Sequence, residues 1–218
     1  QLSVSRYLPL PLSPPIATLL SELFSIDSRQ KRLFTNAVVT DRSFETVAQF
    51  ENLETLSVSW CSEITNRSIS HLSGLGNLST VRLFNCTKLT GKALNYLCEV
   101  TSLETLLLHG GEFFAGNLAA VYEDLPFSMP NLKTLELQCM AVSEEALGAI
   151  AQLPSLTSLS LLLTTHKHCA FRKFGDRYAC NLERLRISSE SLCDWDLEIL
   201  LTAAAATLTH VDLFGNNA

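Results

Sequence analysis

Charge is scarce in this chain: only 17% of its 218 residues are Asp, Glu, Lys or Arg, and their sum is a net charge of -6. Phosphate backbones call for a dense basic face, so this balance gives no reason to expect nucleic acid as the main ligand, while it favours solubility. Also missing is any uninterrupted run of about 18 apolar residues, the length a membrane-spanning helix requires. Disorder is excluded by the apolar fraction, 47%, which suits a soluble globular protein. The length permits one domain with a large core and is also compatible with two.

No catalytic fingerprint is present. There is no nucleophile elbow, phosphate loop, zinc-protease helix or Gly-rich dinucleotide turn. Gly110-Gly111-Glu112-Phe113-Phe114-Ala115-Gly116 is rich in glycine, but its spacing fits no nucleotide-binding pattern. His166, His168, Cys169 and Cys180 match no familiar zinc spacing. The chain is therefore expected to be non-enzymatic, without cofactor or metal.

Cysteine is present but not clustered. Seven are scattered along the chain, an odd number that fits thiols in a reducing compartment better than a disulfide framework. The triplets Asn66-Arg67-Ser68, Asn77-Leu78-Ser79 and Asn85-Cys86-Thr87 match the glycosylation acceptor pattern and point the other way, toward secretion. The chain starts with Gln1, so a targeting segment could have preceded it. An intracellular, cytoplasmic location is the expectation.

What the sequence has in abundance is periodicity. Segments of the form Leu-x-x-Leu/Val-x-Leu/Val/Ile open at Leu53, Leu78, Leu103, Leu132, Leu156, Leu182 and Leu208, at spacings of 25, 25, 29, 24, 26 and 26. Such a period means a solenoid. The second half of each unit repeats as well: Ile64, Ile69, Leu72 and Leu75 recur as Leu89, Leu94, Leu97 and Val100, then as Val142, Leu147, Ile150 and Leu153. This spacing puts the last three of each set on one helical face, so each unit reads as a short strand followed by a helix. Val39, Phe44, Val47 and Phe50 carry the same spacing in a degenerate unit that begins near Arg29, and Leu192, Leu197 and Leu200 carry it near the end.

A column of small polar residues precedes each set: Asn36, Cys61, Cys86, Cys139 and Ser189, with Asn216 in the equivalent place after Val211 and Leu213. Side chains of this kind can turn inward and hydrogen-bond the backbone leaving the strand. They are assigned to a structural ladder. A nucleophile would need a positioned base and a zinc site convergent ligands, and stacked thiols, one per turn, offer neither.

Leu53-x-x-Leu56-x-Val58-x-x-Cys61-x-x-Ile64-Thr65-Asn66, echoed by Leu78-x-x-Val81-x-Leu83-x-x-Cys86-x-x-Leu89-Thr90-Gly91, resembles the leucine-rich repeat family in its cysteine-containing, F-box-associated subclass. The resemblance covers residues 29–218. It implies an α/β solenoid of about seven to eight repeats, curved, with a parallel sheet on the concave side and helices on the convex side. Members of that subclass resemble substrate-recognition arms of ubiquitin-ligase adaptors, and other leucine-rich repeat proteins are scaffolds. Two units depart from the pattern. The one from Leu103 has Gly110-Gly111 at the ladder position and extends through Glu123-Asp124-Leu125-Pro126-Phe127, and the one from Leu156 has THKHCAFRKFGDRYAC in place of the usual helix.

The chain stops inside its last unit, so the repeat domain of residues 29–218 is expected to be truncated there. Residues 1–28 fit an N-terminal cap: Leu8-Pro9-Leu10-Pro11 is an extended lead, Ser13 and Pro14 suit a helix start, and Ile16, Leu19, Leu20, Leu23 and Phe24 form an apolar stripe. LPLSPPIATLLSELFS also resembles the start of an F-box, although no matching valine, cysteine and tryptophan pattern follows.

Residues between the strand leucines point to the concave surface, because side chains alternate along a strand. A Thr/Ser column there is structural. The remaining positions vary, and with Trp60 they make the expected partner-binding set: Arg82, Phe84, Leu107, His109, Glu136, Gln138, Leu162, Arg184, Arg186 and Phe214. Aromatic and arginine anchors of this kind dominate protein interfaces. The expected function is a non-catalytic scaffold or recognition subunit of a multi-subunit assembly, binding protein through its concave face. One alternative is the substrate-recognition subunit of a cullin-type ubiquitin ligase. Another is a nucleic-acid-contacting subunit using the basic segment 166–178, whose Phe171, Phe174 and Tyr178 are otherwise expected to form a buried helix face.

Overall fold

The computed structural model describes residues 2–4, 39–110, 129–141, 144–165, 171, 181–188 and 192–213, with the backbone alone at 2–4, 139–141, 144–146 and 163–165. Among these residues the strands form one sheet in chain order: β1 (Leu2–Val4), β2 (Thr55–Ser59), β3 (Thr80–Phe84), β4 (Thr105–His109), β5 (Thr134–Ala141), β6 (Ser158–Thr165), β7 (Arg184–Ser188) and β8 (His210–Leu213). From β2 onward every pairing is parallel and in register with the repeat: Leu56 faces Val81, then Leu106, Leu135, Leu159, Leu185 and Val211. Between strands run short helices, α1 (Asp41–Val47), α2 (Asn66–Ser70), α3 (Lys92–Cys98), α4 (Glu144–Ile150) and α5 (Asp194–Ala204).

Both halves of the periodicity converge on one core. The even positions of β2, Leu56 and Val58, are buried, as are Val81 and Leu83 of β3 and Leu106 and Leu108 of β4. Facing them are Ile64, Ile69, Leu72 and Leu75 of one turn and Leu89, Leu94, Leu97 and Val100 of the next, all buried. Phe44 and Val47 of the degenerate unit are buried too, with Val39 and Phe50 packed against them. Burying one such side chain is worth about 1.5 to 3 kcal/mol, and no single unit could cover both of its faces alone. Strands lie about 4.8 Å apart whereas packed helices need about 8 to 10 Å. The helical side of each turn is therefore wider, and the stack curves with the sheet inside. The chain is an α/β leucine-rich repeat solenoid.

Each turn is locked to the one before it at the entrance to its strand. The N–H groups of Ser79 and Thr80 both donate to the carbonyl of Glu54, those of Glu104 and Thr105 to Ser79, and those of Lys133 and Thr134 to Glu104. Thr157 with Ser158, Glu183 with Arg184, and Thr209 with His210 repeat the arrangement. These shared acceptors set the pitch of the solenoid.

Three features were not anticipated. β1 pairs antiparallel with β2 and occupies the edge beside which a strand of the degenerate unit would lie. β5 and β6 run on for eight residues each, with a register shift between Gln138 and Met140. At the far end, Val211 and Leu213 occupy places whose counterparts one turn earlier, Leu185 and Ile187, are buried, yet each is 42% exposed. The predicted helix over Ile16–Phe24 lies outside the described residues, as do the segments 111–128 and 172–180.

Candidate functional site

Parallel register arranges the outward side chains of the sheet in three rows. The first is Thr55, Thr80, Thr105, Thr134 and Ser158, ending in Arg184 and His210. Its β-branched members fit a pleated surface and offer little chemical variety. The second runs Ser57, Arg82, Leu107, Glu136, Ser160, Arg186 and Asp212, and the third Ser59, Phe84, His109, Gln138, Leu162 and Ser188.

The middle of the face is tied together side chain to side chain. The rings of Phe84 and His109 meet edge to face with centroids 4.4 Å apart at 90°, a geometry worth about 0.5 to 1.5 kcal/mol beyond its buried area. His109 Nε2 lies 2.8 Å from Glu136 Oε1, and both side chains are only 22% exposed. Phe84, His109 and Glu136 are thus in contact across β3, β4 and β5, with Leu107 beside them in the second row. Gln138 and Leu162 extend this area, half-buried, toward β6.

Trp60 sits just past the end of β2, on the rim of the face. Its backbone is left-handed, φ 59°, as is that of Asn85, φ 49°. The N–H groups of Trp60, Asn85 and Gly110 donate to the carbonyls of Phe84, His109 and Gln138, at 2.8, 2.9 and 2.9 Å. Asn and Gly suit a left-handed turn, whereas a bulky residue is strained there. The indole is nevertheless 77% exposed.

Toward β8 the surface becomes polar. An open depression of about 250 Å³ is lined by Glu136, Ser158, Ser160, Arg184, Arg186, His210 and Asp212, over a floor that includes Leu159 and Leu185. Arg184 and Arg186 project from alternate positions of β7 and are both exposed.

The cysteine column lies on the opposite side of the backbone. Cys61 and Cys86 are buried thiols whose sulfurs donate to the carbonyls of Ser59 and Phe84, each at 3.4 Å, and Cys86 also reaches Val58 O at 3.9 Å. Those acceptors belong to the strands, and the Cys86 sulfur is also hydrogen-bonded to the backbone of Cys61 in the loop leaving β2. Burial pushes the Cys86 thiol up to about 11, which leaves it protonated and unreactive at neutral pH. Asn36, Ser189, Asn216 and Phe214 lie outside the described residues, as does the Cys139 side chain. Of the segment 166–178 only Phe171 is described, and it is buried in the core.

Two further polar ladders went unread in the sequence. Asp41 accepts from Thr65, one turn on, through both N–H and hydroxyl at 2.8 Å, and from the Ser68 hydroxyl. Asn66 does the same for Thr90, accepting from its N–H at 2.9 Å and donating Nδ2 to its hydroxyl at 2.8 Å. The signal was the pair Thr-Asx at 40–41 and 65–66, lost at Gly91, which has no side chain to continue it. The second ladder is the residue before five of the seven strand motifs: Asn77, Ser102, Asn131, Ser155 and Thr207 donate to the carbonyls of Glu51, Leu78, Thr101, Pro130 and Leu182 of the preceding turn.

No protein-family model and no curated protein matches the chain. Solved structures similar to it include internalin C2 from Listeria monocytogenes str. 4b F2365, at 18% identity and a TM-score of 0.41, over 93% of this chain and 84% of that one. Another is internalin F from the same strain, at 18% identity and a TM-score of 0.40, over 93% of this chain and 69% of that one.

Proposed function

We propose that this solenoid is a non-catalytic protein-binding module that captures its partner on the outward face of the sheet, as a scaffold or recognition subunit of a larger assembly. The observation that carries this is the ordered cluster Phe84–His109–Glu136 with Leu107, flanked by the exposed Trp60 and by Arg82. Aromatic and arginine side chains held in place before binding lose little freedom on contact, which is where binding energy concentrates. Replacing Phe84 and Leu107 by Ala together, and separately reversing the charge of Arg184 and Arg186, should reduce partner capture while leaving the thermal midpoint within a few degrees of wild type. Undiminished capture by every such variant, with the fold intact, would remove the face from consideration.

Location inside the cell is supported by the thiols of Cys61, Cys86, Cys98 and Cys193. It is also supported by Asn66 and Asn77, whose Nδ2 atoms, the attachment points of a glycan, donate to Thr90 and Glu51 of neighbouring turns. Among the described residues no helix is long and apolar enough to cross a membrane. The buried thiol column at Cys61 and Cys86 also favours the cysteine-containing subclass, and with it a second reading as the substrate-recognition subunit of a cullin-type ubiquitin ligase. Co-purification of cullin-type subunits with the full chain would favour that reading, and their absence from a stable complex would favour the scaffold.

A further inference from the structure

The depression at β6–β8 has a chemistry of its own. Arg184 lies between Ser158 and His210 in its row, is exposed, and makes no ion pair among the described residues. Arg186 lies between Ser160 and Asp212, and Glu136 on the far wall lies against His109. The Ser160 hydroxyl oxygen is buried in the same depression without a hydrogen-bond partner among the described residues. A guanidinium outside any ion pair and a hydroxyl without a partner, both among the described residues, together call for an acceptor oxygen. The volume, about 250 Å³, is below the range of typical small-molecule pockets and suits a single side chain. With Glu136 and Asp212 on the walls offsetting Arg184 and Arg186, the depression has no surplus of positive charge for a doubly charged phosphate, whereas a singly charged carboxylate needs only the contact with Arg184.

Resting on the partner-binding reading above, we propose that this depression receives an aspartate or glutamate side chain of a partner segment that crosses the strands of the sheet, and that an apolar side chain of the same segment seats against Leu107 and Phe84. From β7 back to β4 and β3 is three to four strand spacings, about 14 to 19 Å, which an extended chain covers in about four to six residues. Arg184 holds the carboxylate in a charge-assisted contact, the Ser160 hydroxyl donates to it, and the apolar contact fixes the direction of the segment.

Selection of a random peptide library displayed on phage against the 218-residue protein tests this. The expected outcome is a shared pattern of one acidic and one large apolar residue about four to six positions apart. A synthetic peptide of that pattern should bind Arg184→Gln about tenfold more weakly than wild type. It should lose a similar factor when its acid is changed to the amide, and gain nothing when the acid is replaced by phosphoserine. Peptides that depend on Leu107 and Phe84 but are indifferent to Arg184 would overturn the acidic pocket alone. Tighter binding of the phosphoserine peptide would overturn the choice of a carboxylate. If no selected peptide is weakened by Leu107→Ala with Phe84→Ala, in variants of unchanged thermal midpoint, both this proposal and the partner-binding reading fail.

Discussion

Asp41 and Asn66 perform one task with two side chains. Each closes a two-bond ring with the threonine that starts the next turn's helix, Thr65 or Thr90, and so ties successive helices where their N-termini need acceptors. Asp41→Ala should cost about 1 to 3 kcal/mol, because it leaves the Thr65 and Ser68 donors unpaired. Asp41→Asn should cost much less, since Asn66 shows the amide fitting the same ring. Burial pushes the Asp41 carboxyl up, but the bonds from Ser68 and Thr65 outweigh it and hold the group below its ordinary value. That stabilisation is fully present above the ordinary carboxylate pKa and disappears as pH falls through the lowered one. Urea denaturation of wild type and Asp41→Asn between neutral and acid pH should show the wild type losing this part of its stability and the amide variant lacking that dependence. At Trp60 the sign is the opposite: Trp60→Asn should raise stability by about 1 kcal/mol, because Asn85 adopts the same left-handed turn with less strain. A loss of stability in the same denaturation experiment would mean that the indole holds the fold together.

One element, the strand-helix unit, was legible because its two periods are written in leucine. Leu53 to Leu75 marks the buried positions directly, and every one of them proved buried, but the helix is shorter than the spacing implies: α2 ends at Ser70, so Leu72 and Leu75 fill the core from the turns that follow it. The caps and ladders were harder to read: Thr-Asx occurs at only two regular positions before Gly91 breaks it, and the asparagine or serine before each strand looks like ordinary loop composition. β1 left no trace because Leu2-Ser3-Val4 is too short to show alternation. The outward rows followed from alternation alone, but the Phe84–His109–Glu136 linkage depends on side-chain geometry that no one-dimensional pattern carries. Within a unit, the two kinds of buried residue should behave differently. Leu97→Ala in α3 empties a site that is fully buried and should cost about 2 to 5 kcal/mol. Cys61→Ser preserves size and a donor to the Ser59 carbonyl and should cost about 1 kcal/mol with the fold intact. Thermal unfolding followed by circular dichroism separates the two, and complete unfolding of Cys61→Ser would contradict its place in a ladder.

Across the whole molecule the solenoid separates its labours. The leucine rows and shared acceptors at each strand entrance make the stack rigid, which leaves the second and third outward rows free to vary without disturbing the core. Variation there runs from aromatic and apolar at β3–β4 to charged at β7–β8, a gradient with a direction that a partner can read. The most direct test is photo-crosslinking in cells, with a benzophenone amino acid placed either at position 107 on the sheet face or at the exposed position 99 at the end of α3. A protein adduct that forms from position 107, is absent from position 99, and is lost when Arg184 and Arg186 are reversed in charge is the predicted result. Adducts from position 99 alone would contradict it and would move the binding surface to the helices.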